Sequence, residues 1–137
     1  MSTGDEIGLP PEHTMIGALG MYTETQEDGT VRGHMAVTDR ILQPYGLVHG
    51  GAMLALAETL ASHGTWLGVK DDGNLAMGQE INASLMRPIT KGTVHGLATP
   101  RRRGRTAWVW EIEITDDEGR LCALVRATIA VRPAPSP

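Results

Sequence analysis

The sequence predicts an α+β domain in which one long helix packs with about five or six mainly antiparallel strands. Three observations lead there. Only one segment, from about Gly51 to Gly68, reads as a helix, so a parallel sheet would lack its crossover helices. The later segments alternate apolar and polar residues at period two. Turn chemistry rich in Gly, Asp, Asn and Pro separates them. With 137 residues the chain makes one domain, 1–137, because a second core would leave each half too small to fold. Residues 1–12 and 132–137 are expected to be loose ends.

In chain order, Gly20–Gln26 and Thr30–Thr38 flank the acidic turn Glu27-Asp28-Gly29 and predict a hairpin. Gln43-Pro44-Tyr45-Gly46 is loop chemistry, since proline fixes φ and glycine relaxes it. The helix follows, and Asp71-Asp72-Gly73-Asn74 turns the chain back. Leu75–Arg87 and Gly92–Arg101 read as strands. Arg105–Thr115 is a third, with Trp108, Trp110, Ile112 and Ile114 on one half-buried face. Asp116-Asp117-Glu118-Gly119 turns into the last strand, Arg120–Val131.

Composition excludes several functions. Twelve Lys and Arg stand against sixteen Asp and Glu, a net charge of −4 that argues against wholesale nucleic-acid binding. No apolar stretch reaches membrane-helix length; Gly51–Leu67 comes closest and Glu58 interrupts it. The acidic start, MSTGDEIGLPPEH, lacks the basic-then-apolar order of a signal peptide, so a cytoplasmic location is expected. One cysteine, Cys122, excludes an internal disulfide and any multi-thiolate metal site. His34, His63 and His95 have no metal-ligand spacing, and neither metal nor cofactor is expected. Ser62 and Ser84 lack the glycine pattern of a nucleophile elbow.

The helix is apolar nearly all round, which predicts burial under the sheet or against a partner chain. Glu58 sits in its middle with no Lys or Arg within two turns. At 100° per residue, Glu58, Ser62 and Thr65 share a face and form a narrow polar stripe. Two readings stand. Glu58 escapes to solvent along that stripe, or it occupies a half-dry cleft that raises its pKa towards that of a general base or nucleophile. Upstream, Val48-His49-Gly50-Gly51 sets two flexible residues at the helix start. Free N–H groups there, with the macrodipole, favour the negative charge that grows on a reacting carbonyl oxygen.

Eight residues of helix separate Gly50 from Glu58 by roughly 12 Å along the axis. One small reacting group cannot easily touch both. If both act on it, they come from two chains with antiparallel helices, which predicts a two-fold dimer with shared sites.

At this point the residues resemble a known family. Gly46-Leu-Val-His-Gly-Gly-Ala52, followed by Ala55-Leu-Ala-Glu58, resembles the hotdog-fold thioesterases. The similarity is to the 4-hydroxybenzoyl-CoA thioesterases with a helix glutamate and to the phenylacetate-pathway thioesterases. It continues through Gly78-Gln79, Asn82-Ala-Ser84, Arg87-Pro88, Trp108-Val-Trp110 and Asp117–Ala123, and ends at Ile129–Pro133. The resemblance implies an antiparallel sheet wrapped around one helix, dimers paired into a tetramer, and hydrolysis of acyl-CoA to acid and free CoA. It implies that Glu58 attacks the thioester or activates water. Gly50 would give its N–H to the carbonyl, Gln43 would help hold the site, and Ser62, in place of a threonine, would help place water.

Departures from the family pattern bear on substrate. His63 stands where the hydroxybenzoyl enzymes carry an acid that reads the phenol hydroxyl. Met53 and Leu54 replace a more aromatic and polar pair, and Leu85-Met86 replaces two phenylalanines. The softer lining fits aryl, arylacetyl and medium-chain acyl groups. His49 reads either as a general base or as a structural hydrogen-bonding group, and Cys122 reads as core. Arg101-Arg102-Arg103-Gly104-Arg105 is either a solvated turn or, given the resemblance, a contact for the CoA phosphates. Thr106 matches a hydroxyl position near the nucleotide, and Arg87 and, more weakly, Arg132 are further phosphate candidates. The alternatives to an acyl-CoA thioesterase are a hydrolase of acyl-carrier-protein thioesters and a non-catalytic acyl-CoA-binding domain.

Overall fold

A computed structural model describes residues 8–135. A short 3-10 turn, Pro11–His13, leads into helix α1, Met15–Ala18. Strands β1 (Met21–Thr25) and β2 (Val31–Ala36) form the expected hairpin. Gly29 takes φ +87° in its turn, and Asp28 Oδ1 accepts from the Thr30 N–H and hydroxyl. Helix α2 spans Gly50–Val69, one residue more at each end than expected. Strands β3 (Asn74–Leu85), β4 (Thr93–Arg103), β5 (Ala107–Thr115) and β6 (Leu121–Pro133) follow.

The six strands make one antiparallel sheet in the order β1-β2-β4-β5-β6-β3, and α2 touches every strand. This is the hotdog arrangement. Its core sets Leu56, Ala57, Leu60 and Ala61 of α2 against Met35, Val94, Ile112, Ile114, Val125 and Ile129 of the sheet. Close approach of helix to sheet depends on absent side chains. A Cβ on Gly64 or Gly68 would lie 2.5 Å from the Trp110 or Trp108 ring. The period-two reading of β5 holds, since Trp108, Trp110, Ile112 and Ile114 are all buried.

Three expectations change. Strand β6 continues through Pro133, so Arg132 and Pro133 pair with Leu75 and Asn74 and are not loose. Pro11 and Glu12 likewise belong to the first 3-10 turn, whereas residues 1–7 and 136–137 lie outside the described residues. Arg102 and Arg103 belong to β4, which leaves Gly104, Arg105 and Thr106 as the turn. Finally, the polar stripe of α2 is split, with Glu58 exposed at its start and its far end closed to water. Thr65 is fully buried, its hydroxyl accepting from Trp110 Nε1 at 2.8 Å and donating to the Ala61 carbonyl. Among the described residues no helix is long and apolar enough to cross a membrane.

Candidate active site

The helix start is built around His49. It is the N-cap of α2, and its Nδ1 accepts from the Gly51 N–H at 2.8 Å. The Ala52 N–H donates to the His49 carbonyl at 2.9 Å, with the Met53 N–H directed at the same oxygen. Of the four N–H groups that a helix leaves open at its start, only that of Gly50 has no acceptor among the described residues. The capping geometry supports the structural reading of His49.

A cavity of about 290 Å³ opens beside that N–H, lined by Gln43, Val48, Gly50, Met53, Leu85, Met86 and Arg87, among others. Gln43 holds the preceding loop in shape. Its Oε1 accepts from the Tyr45 N–H at 2.6 Å, and its backbone pairs with Leu47 and Gly46. Gly46 closes the turn at φ +84°, a backbone region where a Cβ is strained. A Cβ on Gly50 would meet Leu85 Cδ1 at 2.5 Å, so the helix start lies tight against the end of β3.

A second cavity, about 280 Å³, lies further along α2 and is lined by Ile16, Glu58, Thr59, Ser62, His63, Trp66 and residues 75–77. Strand β3 passes against the Glu58 carboxylate, because a Cβ on Gly78 would come within 2.9 Å of its Cδ and Oε2. The β3–β6 register slips at this point, between Gly78 and Glu80. Within the single chain Glu58 is exposed, so this chain alone does not build the half-dry cleft. No described side chain hydrogen-bonds or pairs with its carboxylate. Ser62 Oγ is buried and has no hydrogen-bond partner among the described residues, although it stands one turn from that carboxylate. His63 is buried in the same wall.

The predicted residues therefore separate into two groups. Gln43, Gly50, Met53, Leu85, Met86 and Arg87 share one cavity; Glu58, Ser62 and His63 share the other. Leu54 lines neither. Nor do Arg101, Arg102, Arg103, Arg105 and Thr106, so one chain does not bring the arginine run to either cavity. Strand alternation and a bulge at Arg101 scatter it instead. Arg101 pairs with Glu111 at 2.9 Å, while Arg103 lies over the Trp108 ring. The Thr106 carbonyl accepts from Arg132 Nη1 and from the Val131 N–H. A further cavity, about 430 Å³ between β1, β2 and β4, is lined by the stacked Tyr22 and His34 rings, among others, and holds none of the predicted residues.

Sequence reasoning missed Ile16, Trp66, Met77 and Gly78 around Glu58. Trp66 was accessible as the next residue on the stripe at four-residue spacing. The others carry no local signal. Burial pushes the Cys122 thiol up in pKa, away from the reactive thiolate, in keeping with a core role. Among the described residues no group of three or more His, Cys, Asp or Glu stands together to hold a metal ion.

A family profile described as the Thioesterase superfamily matches residues 45–123, from the Gln43 loop's tip through both cavities to β6. The proofreading thioesterase EntH of Klebsiella pneumoniae is 42% identical over 125 residues, covering 91% of this chain and 90% of its own. Among solved structures, a mutant of thioesterase PA1618 from Pseudomonas aeruginosa superposes with TM-score 0.87 at 34% identity, covering 90% of this chain and 89% of that one. Thioesterase HI1161 from Haemophilus influenzae gives TM-score 0.86 at 32% identity over 97% and 92% of the two chains. An open N–H at the start of the long helix and a carboxylate two turns along it thus lie in a chain similar over nine-tenths of its length to enzymes named thioesterases, and the chain belongs to the Thioesterase superfamily, as a thioester hydrolase.

Proposed function

We propose that the enzyme hydrolyses acyl-CoA thioesters of the aryl or related acyl class, in sites shared between two copies of the chain. The carrying observation is the division of the site. The open Gly50 N–H and the Glu58 carboxylate lie in separate cavities of one chain, roughly 12 Å apart along the helix. A two-fold pairing of antiparallel helices sets Glu58 of one copy beside Gly50 of the other. Strand β3 supports this pairing. It is a sheet edge with one side of its backbone unpaired, and exposed apolar residues on it and just past its end border the two cavities, Met77 beside Glu58, Leu85 and Met86 beside Gly50. Pairing there also covers Glu58, which supplies the burial that the single chain lacks.

In this site the thioester carbonyl oxygen accepts from the Gly50 N–H, which stabilises the negative charge that grows there. Glu58 has two routes. Its carboxylate attacks the carbonyl carbon, expelling CoA thiolate and leaving a mixed anhydride that water cleaves to the acid and free Glu58. Alternatively it takes a proton from water as the water attacks, and the tetrahedral intermediate then expels the thiolate. Ser62 Oγ, buried and with no partner among the described residues, would hold that water in either route. Gln43 fixes the loop under the carbonyl site, and Arg87, in the same cavity, faces the CoA phosphates.

The experiment is CoA release from aryl-, arylacetyl- and straight-chain acyl-CoAs, with Glu58→Ala as control. Glu58-dependent turnover that is lowered about 10²- to 10⁴-fold in the variant is expected. Near-native activity in Glu58→Ala refutes the assignment. A second reading is favoured by the similarity to EntH, a relative named a proofreading thioesterase. Here the enzyme clears acyl groups from a carrier protein, reached by its pantetheine arm alone. Loss of the Arg101–Arg105 charges leaves that activity intact, whereas a CoA enzyme using them shows a raised KM.

A further inference from the structure

The cavity beside Glu58 is made from three pieces of chain. Residues 58–66 come from α2 and residues 75–77 from β3, both fixed by the core and the sheet. Among the described lining residues, only Ile16 comes from elsewhere, from α1 in the N-terminal segment. That segment is folded back tightly. Thr14 Oγ1 donates to the Pro11 carbonyl at 2.8 Å, and a Cβ on Gly17 would collide with that same carbonyl oxygen. Arg40 Nη1 donates to the Ala18 carbonyl at 3.2 Å and ties the end of α1 to the loop before α2. Ile16 packs against the core, while its neighbour Met15 is 59% exposed.

The wall opposite is apolar in character. Thr59 donates its hydroxyl back to the Ala55 carbonyl at 2.7 Å, so it asks nothing of a ligand. Trp66, Leu75, Ala76 and Met77 supply hydrocarbon surface. The cavity, about 280 Å³, is of a size for a small or medium acyl group, such as an arylacetyl or an eight-carbon chain.

We propose that Ile16 is a specificity-determining residue, the end wall that sets the size of the acyl group. The proposal rests on the thioesterase site described above, with the acyl group entering the Glu58 cavity. It follows that acyl selectivity is adjustable through a short N-terminal element that contributes little to the sheet or helix.

The test compares kcat/KM for butanoyl-, octanoyl-, dodecanoyl-, phenylacetyl- and 2-naphthoyl-CoA in wild type, Ile16→Ala, Ile16→Trp and Met15→Ala. Each readout is a ratio between substrates, which a partly unfolded preparation does not change. Ile16→Ala raises the dodecanoyl-to-octanoyl ratio by roughly fourfold per methylene newly accommodated. Ile16→Trp lowers the octanoyl and phenylacetyl values relative to butanoyl by at least about tenfold. Met15→Ala keeps the wild-type ratios. Unchanged ratios in both Ile16 variants, or a shift in Met15→Ala as large as in Ile16→Ala, overturn the proposal alone. A wild-type enzyme that turns over none of these substrates overturns the acyl-CoA reading and this proposal with it.

Discussion

Gly78 is the position where one carbon atom should disable the enzyme without unfolding it. Its built Cβ stands 2.9 Å from Glu58 Cδ and Oε2, whereas carbon atoms rest comfortably at about 3.5–4.0 Å. In Gly78→Ala the carboxylate must retreat by roughly 0.6 Å or more to restore that contact. Within the single chain Glu58 is exposed and no other described side chain hydrogen-bonds its carboxylate, so it has room to swing away from the reacting carbonyl. A misplacement near 1 Å costs on the order of 10²-fold. A loss of about 30- to 100-fold in kcat, with KM nearly constant, is therefore expected. Alanine is no burden to the strand itself, since glycine in a strand interior is the weaker residue. The assay is steady-state hydrolysis of a good thioester substrate, paired with a thermal melt. A kcat within about twofold of wild type, in a folded variant, would refute the claim that β3 positions this carboxylate.

Four further outcomes follow from the structure. Gly50→Pro removes the open N–H at the first helical position, where proline is tolerated and the preceding His49, at φ −64° and ψ 130°, already suits it; kcat falls about 10²- to 10³-fold further than in Gly50→Ala, which brings the same Cβ against Leu85 but keeps the N–H, with the helix retained by circular dichroism. Co-refolding Gly50→Pro with Glu58→Ala at equal ratio restores about a quarter of wild-type activity if the sites are shared, because half the dimers are mixed and half their sites intact. Thr65→Val strands the buried Trp110 N–H and lowers stability by about 1–3 kcal/mol in denaturant titration, while relative kcat/KM values across substrates hold. Burial works to raise the Asp116 carboxyl, but the Arg120 and Glu118 N–H groups and the Arg120 guanidinium outweigh it and hold its pKa below the ordinary 3.8. A carboxyl depressed on folding stabilises the protein above its unfolded pKa and ceases to as pH falls through the folded one. Asp116→Asn is thus less stable than wild type at neutral pH, and melting curves taken down through pH 3.8 show the gap closing.

The fold was readable because each local signal agreed with the next. Period-two burial in Trp108–Ile114, a single apolar helix and acidic Gly-containing turns all specify the same sheet. The separation of Gly50 from Glu58 was also readable, from helix rise alone, and the two line different cavities. What failed were inferences that treated sequence neighbours as spatial neighbours. Arg101–Arg105 reads as one basic patch, yet pairing in β4 sends Arg101 to Glu111 and Arg103 to Trp108. Thr65 reads as polar stripe, yet a tryptophan 45 residues later takes up its hydroxyl. Ile16 carries no signal at all, because its importance comes from a chain reversal placing it against a helix some forty residues on.

The same distinction explains why Glu58 resisted a local account. A carboxylate in the middle of an apolar helix argues either for solvent or for a functional cleft, and the single chain answers with solvent. Yet an escape to solvent gives no reason for β3 to crowd that carboxylate with a glycine, nor for Ser62 Oγ to be buried without a partner beside it. Buried polar groups are ordinarily satisfied, so a buried hydroxyl with no partner among the described residues, one turn from that carboxylate, suits the water-holding role proposed for Ser62. In the proposed pairing, a water between Ser62 and Glu58 would satisfy both groups when a second copy covers β3. The proposal thus gives the exposed carboxylate, the open Gly50 N–H and the bare apolar edge one common explanation, that each would be completed by the other copy.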